Sequence, residues 1–434
     1  MPWRRARRKV ERPVDVSRSI EESLEEAAEG EEEEDLVELA ELDGATIAEA
    51  ATGEPDPDRE PSDLAIKLQN ALDAPHREPP RRGLESEAPH RGRLPQSAAS
   101  VRETTRVKAA APSESAHAAA LPETGVDLEV EAARGLRLKN PVLTASGTFG
   151  QGVEYAELID VSRLGAIVNK GTTPAARPGN PQYRIAETPS GILNSIGLEN
   201  PGATEVARKY AKAWADLGVS VIVNVAGYSV DDYVYVVHEL EGTPAVVAYE
   251  LNISCPNVKG GMLFGCDPGL AAEVTRAVKA ETDLPVIVKL TPNAPDVVAV
   301  ARACEEAGAD GLTAINTVLG MRIDTKRRRP ILGTGSGGLS GPAIRPIAVH
   351  ITYQVAQAVA IPIIGAGGVT NTDDALEFLM AGASAVQVGT ATFADPLAPI
   401  KVIEGLAAYV GGHGLASIRD VIGVALPPTP EPDD

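Results

Sequence analysis

From Val126 onward, short β-branched or apolar runs alternate with amphipathic helical segments, and this alternation constrains the fold more than any other feature. Eight runs have the length and composition of buried strands: Pro141–Ala145, Gly165–Lys170, Ser220–Val225, Ala248–Ser254, Pro285–Leu290, Gly311–Asn316, Pro362–Ala366 and Ala385–Gly389. Helical periodicity fills the gaps, for example over Gly202–Leu217, Pro268–Thr282, Ala294–Ala307, Ile344–Ala358 and Asn371–Ala381. Eight strands separated by helices over about 300 residues predict an α/β (β/α)8 TIM barrel. A doubly wound open sheet is the runner-up, although it usually needs fewer strands. The repeats Ala307-Gly-Ala-Asp310 and Ala381-Gly-Ala-Ser384 fit a helix C-cap followed by a short turn into a strand.

Composition changes near Val126. Residues 1–125 carry −11 of the net −21 and are rich in Glu, Ala, Pro, Arg and Ser. Ten of the fifteen positions from Glu21 to Asp35 are acidic and none is basic. Such a block repels itself and buries little apolar surface, so a low-complexity, mostly disordered extension is expected over 1–125. Within it, Asp35–Ala51 and Asp63–Leu72 have some helical periodicity and suit transient helices. A solvating tail explains the segment more simply than an interaction arm. The barrel domain is expected over 126–425, with a Pro-rich acidic tail at 426–434.

Several function classes are disfavoured. A net charge of −21 does not suit binding to a phosphate backbone, and 3% aromatic residues do not suit base stacking. No apolar run approaches a membrane span, and the basic N-terminus lacks the apolar stretch of a secretory signal. The three cysteines, Cys255, Cys266 and Cys304, have no CxxC spacing, so neither disulfides nor zinc is suggested and a cytoplasmic location is the simplest. None of the six histidines falls at a strand end or in a ligand-spaced pair, so no metal is expected. There is no GxGxxG after a strand and no P-loop, which leaves nicotinamide binding by this chain unsupported.

In a barrel of this kind the chemistry lies at the C-terminal strand ends. Those ends carry Ser146, Asn169-Lys170-Gly171, Asn224, Asn252 with Ser254, Cys255 and Asn257, Lys289, Asn316-Thr317, Gly365-Ala-Gly-Gly368 and Gly389-Thr390. Asn and Gly are common at turns, but turn chemistry explains the full set poorly. A thiol between two asparagines, after a buried strand, can act as base or nucleophile while the amides hold a polar planar ligand. Glycines after strands 7 and 8 occupy the frequent phosphate site of this fold. Lys170 and Lys289 end strands expected to be buried, where lysine is rare without a partner. No acidic residue at a neighbouring strand end is expected to pair with both, which leaves an anionic ligand or snorkelling to the barrel rim.

Four motifs together resemble dihydroorotate dehydrogenase: Asn252-Ile-Ser-Cys-Pro-Asn257, Asn194-Ser-Ile-Gly-Leu-Glu-Asn-Pro-Gly202, Val288-Lys-Leu-Thr-Pro-Asn293 and Ile364-Gly-Ala-Gly-Gly-Val369. The resemblance runs from about Val126 to Val424. It is closer to the class 1B catalytic subunit than to class 1A, on the Ile196–Gly202 run and the Gly260-Gly261…Phe264-Gly265 loop. Class 2 members use a serine base, whereas this chain has Cys255.

The resemblance implies oxidation of dihydroorotate to orotate on FMN in pyrimidine biosynthesis. It implies a homodimer of this chain joined to a subunit carrying FAD and a [2Fe-2S] cluster, in a heterotetramer that passes electrons to NAD+. Cys255 would remove the C5 proton. Lys170, Asn194, Ser195, Ile196, Gly197, Leu198, Asn252, Asn257, Asn316 and Thr317 would bind substrate. Ser146, Lys170, Gly171, Asn224, Asn252 and Ile315 would contact FMN, and Lys289 would sit near N1/O2 of its ring. Gly341, Gly367, Gly368, Gly389 and Thr390 would hold its phosphate. The alternatives are a fumarate-dependent class 1A enzyme and a dihydropyrimidine dehydrogenase-type domain. Cys266, eleven residues after Cys255, is read as incidental, although a disulfide between the two would disable the base.

Overall fold

Parallel pairing of each β-branched run with its sequence neighbours builds the molecule. The computed structural model describes residues 125–253 and 263–428. The low-complexity segment 1–124, its two periodic pieces and the end of the C-terminal tail lie outside the described residues. Eight strands form one sheet: β1 Val142–Thr144, β2 Ile167–Val168, β3 Val221–Val225, β4 Val246–Asn252, β5 Val286–Lys289, β6 Gly311–Ala314, β7 Ile363–Ala366 and β8 Ala385–Val388. Their spatial order follows the chain from β2 to β8, and β8 pairs in parallel with β1. A parallel bridge between Leu143 and Ala166 closes the ring, with the Gly165 amide donating to the Val142 carbonyl at 2.9 Å. The expected barrel therefore forms, and the open doubly wound sheet is excluded by this closure.

The helices follow the predicted segments within a few residues: Ala203–Leu217, Pro268–Lys279, Val297–Glu306, Arg345–Ala356 and Thr372–Met380. Val230–Leu240 and Ala398–Gly412 are further helices in the same outer layer. Asp267, Asp296 and Asn371 each accept a backbone N–H in the first turn of the helix that follows, which fixes where it starts. The Gly-Ala repeats do the predicted work at the other end. Gly308 and Gly382 take φ of +98° and +106° one residue beyond the C-caps Ala307 and Ala381, turning the chain into β6 and β8.

Two additions to the barrel decide where a ligand can enter. An antiparallel hairpin, Val130–Ala133 with Leu136–Leu138, covers the N-terminal end of the strands. The Arg134 amide donates to the Asp310 carbonyl at 2.8 Å, and a Cβ at Gly311 would sit 2.9 Å from the Ala133 side chain. At the opposite end, the excursions after β2 and β6 meet in a four-stranded antiparallel sheet. Its order is Val318–Gly320, Gly337–Ser340, Gly191–Asn194, Ile185–Thr188. A Cβ at Gly191 would lie 2.1 Å from the Ser340 carbonyl oxygen, so this close approach requires glycine. One end of the barrel is thus plugged and the other carries a wall. No helix among the described residues is long and apolar enough to cross a membrane.

Candidate active site

An open cleft lies at the walled end, and each of the eight strands, or the loop directly after it, contributes to its lining. Ser146, Lys170, Gly171, Asn224, Asn252, Lys289, Ile315, Asn316 and Thr317 all face it. So do Asn194, Ile196, Gly197 and Leu198 from the excursion after β2, and Gly341, Gly367, Gly368, Gly389 and Thr390. Ser195 does not line it. The segment is extended there, so Asn194 and Ile196 face the cleft while Ser195 faces back, where its hydroxyl lies 2.5 Å from that of Thr334. Cys255 and Asn257 lie outside the described residues, in the segment that follows Asn252 and Ile253.

The floor of the cleft corrects the reading of Lys289. Two residues before Asn252, and on the same face of β4, Glu250 is fully buried. Its Oε1 accepts from Asn224 Nδ2 at 2.7 Å and from Lys289 Nζ at 3.3 Å. Its Oε2 accepts from Gln387 Nε2 at 2.6 Å and from Thr313 Oγ1 at 2.8 Å. Lys289 Nζ also donates to Gln387 Oε1 at 2.9 Å. A carboxylate partner for Lys289 therefore exists within the protein. Counting acidic residues only at strand ends missed it, because Glu250 lies one layer below. Strand alternation would have found it, since Glu250 and Asn252 share a face. Gln387 was missed for the same reason, two positions before Gly389.

Above this floor runs a row of amides. Asn252 Nδ2 donates to Asn224 Oδ1 at 3.3 Å, and Asn316 Nδ2 donates to Asn252 Oδ1 at 3.3 Å. Asn293 fixes the end of the row, donating to the Thr317 carbonyl at 3.2 Å and accepting from the Leu319 amide at 2.9 Å. Primary amides offer both donors and acceptors, so the row matches a ligand edge of alternating N–H and C=O groups.

Three loops converge at one side of the cleft. Gly341 precedes the turn Pro342–Ile344 and the helix Arg345–Ala356, and has φ of +96°. Gly367 and Gly368, after β7, have φ of +135° and +82°. A Cβ at Gly368 would lie 2.8 Å from the Gly341 carbonyl oxygen, and one at Gly341 would lie 3.6 Å from Thr390. The result is a glycine-lined concavity at the head of a helix, which is suited to a phosphate.

The other thiols differ from a working base. Cys304 is buried, and desolvation pushes its thiol up to about 12. Cys266 closes the short helix Leu263–Cys266, and burial raises its thiol as well.

The family model described as dihydroorotate dehydrogenase matches residues 128–410. Among curated proteins, the chain is 53% identical over 291 residues to the "Dihydroorotate dehydrogenase B (NAD(+)), catalytic subunit" of Desulforamulus reducens, covering 67% of this chain and 96% of the relative. The protein of the same name from Geobacillus kaustophilus is 54% identical over 290 residues, covering 67% and 93%. That from Bacteroides thetaiotaomicron is 51% identical over 292 residues, covering 66% and 95%.

Proposed function

This chain belongs to the dihydroorotate dehydrogenase family, and we propose that it is the catalytic subunit of a type B, NAD+-linked enzyme. It oxidises dihydroorotate to orotate, with NAD+ as final acceptor through a partner electron-transfer subunit. The family is flavin-dependent, and we assign FMN as the flavin. The observation that carries this assignment is one cleft holding a concavity lined by Gly341, Gly367, Gly368 and Thr390, the Lys289 ammonium at its floor and a row of three amides. These residues fit a flavin bearing one phosphate: the glycines for the phosphate, Lys289 and Asn224 for the polar edge of the ring. The partner subunit carries FAD and a [2Fe-2S] cluster, assembled with a homodimer of this chain in the cytoplasm.

The rest of the reaction falls to side chains. When bound, FMN supplies a hydride acceptor for C6 of dihydroorotate. Cys255, as thiolate, takes the C5 proton, so that loss of one proton and one hydride leaves the C5–C6 double bond. Asn252 and Asn316 meet the ring's amide groups, with Asn257 completing the set, and hold C5 toward the base. Lys170 and Thr317 stand by the carboxylate. An analogue lacking the ring amides forgoes these hydrogen bonds, at about 0.5–1.5 kcal/mol each. The wall from Gly191–Asn194 and Gly337–Ser340 excludes water from one side of the cleft.

Two experiments bear on this reading. The purified chain should reduce NAD+ only when supplemented with an iron–sulfur flavoprotein partner. Efficient fumarate reduction by the chain alone would instead place it with the class 1A enzymes. Gly368→Ala puts a Cβ at a backbone geometry L residues rarely adopt, against Gly341 and Arg345. Strain of about 1–3 kcal/mol predicts roughly tenfold to hundredfold weaker FMN retention, read by fluorescence titration of the apoprotein.

A further inference from the structure

We propose that Glu250 is the counter-charge to Lys289, setting how strongly the cleft floor attracts electrons into a cofactor seated on it. The inference rests on the FMN reading above. Glu250 does not line the cleft, whereas Lys289 and Gln387 do, so its influence passes through them. It is a positioning residue.

The surroundings of Glu250 define its form. Four donors reach its two oxygens from four strands: Asn224 on β3, Lys289 on β5, Thr313 on β6 and Gln387 on β8. No acceptor side chain competes, which is the shell of an acceptor-only carboxylate. Among the described residues, Lys289 is its only charged partner. Among the described residues, the other cationic side chain lining the cleft is Lys170, after β2.

A purely structural role is poorly served by this choice. Buried ion pairs can often be replaced by uncharged residues of similar volume without loss of stability. A charge of fixed position has a different consequence, because it acts on any charge that develops in the cleft above it. The ammonium of Lys289 has three N–H groups, and two point at Glu250 Oε1 and Gln387 Oε1. The third remains for the cleft. Glu250 therefore both aims the ammonium and offsets its field, so the floor as a pair is close to neutral. Without Glu250, Lys289 would favour reduction of a flavin more strongly.

The test is the flavin reduction equilibrium against a reference dye, in the FMN-loaded protein. Glu250→Gln should raise the reduced-to-oxidised ratio by about tenfold or more at a fixed dye potential, from the loss of one unit charge near the ring. Glu250→Asp, which keeps the charge, should stay close to the parent. Lys289→Met should lower the ratio, and adding Glu250→Gln to it should raise it again. The double variant carries no buried charge at the floor and keeps the test usable if Glu250→Gln alone misfolds. A merely structural Glu250 would lower the unfolding temperature while leaving the ratio unchanged in both backgrounds, and that result overturns the inference. Failure of the FMN reading is separate: the parent protein would then bind no FMN or would not be bleached by dihydroorotate.

Discussion

Cys255→Ala is expected to leave the protein yellow and to slow its bleaching by dihydroorotate by about a hundredfold to ten-thousandfold, the usual worth of a positioned general base. Apart from Asn252, the FMN-holding residues come from other strands, so cofactor content should match the parent. The C5 proton is weakly acidic, and only the thiolate can accept it; a free thiol titrates near about 8.5. The sign follows directly: the parent's bleaching rate should rise with pH through that titration, because deprotonation creates the active form. Cys255→Ser should be nearly inactive at neutral pH and recover only in strong alkali. Stopped-flow absorbance under anaerobic conditions separates these outcomes. Cys255→Ala bleaching at the parental rate would remove the thiol from the mechanism.

Lys289→Met carries the second large effect, and it is first an effect on stability. Glu250 would be left fully buried with only neutral donors, since Lys289 is its one charged partner among the described residues. Breaking a buried pair from one side costs about 3–5 kcal/mol, because the remaining charge is uncompensated. Urea unfolding of the apoprotein should show that loss. Adding Glu250→Gln should recover much of it, because no charge then remains buried. If the single variant is as stable as the parent, the pair is not coupled as the hydrogen-bond geometry indicates. Catalysis should fall as well, because Lys289 is the cation at the cleft floor and reduction of the flavin adds negative charge there.

The barrel was legible because its signal is periodic and repeated. Each of the eight strands falls within two residues of its expected start, and the Gly308 and Gly382 turns follow from a backbone demand that only glycine meets easily. The cleft was legible where residues stand at strand ends, as Asn224, Asn252, Lys289 and Thr390 do. Two kinds of feature escaped. The hairpin Val130–Ala133/Leu136–Leu138 and the four-stranded wall are made of strands of three or four residues, too short for pattern alone to separate from loop. Glu250 escaped because it reads as part of an apolar run, and only ring closure brings Lys289, Thr313 and Gln387 around it. Ser195 was placed in the pocket with its neighbours, yet extended backbone turns alternate side chains to opposite faces.

The most direct measurement is the visible spectrum of the purified protein during anaerobic titration with dihydroorotate. One FMN per chain is expected, with the flavin absorbance lost in step with orotate formed and restored when an electron acceptor is added. A protein that contains no flavin, or whose flavin spectrum is unchanged by excess dihydroorotate, would contradict it.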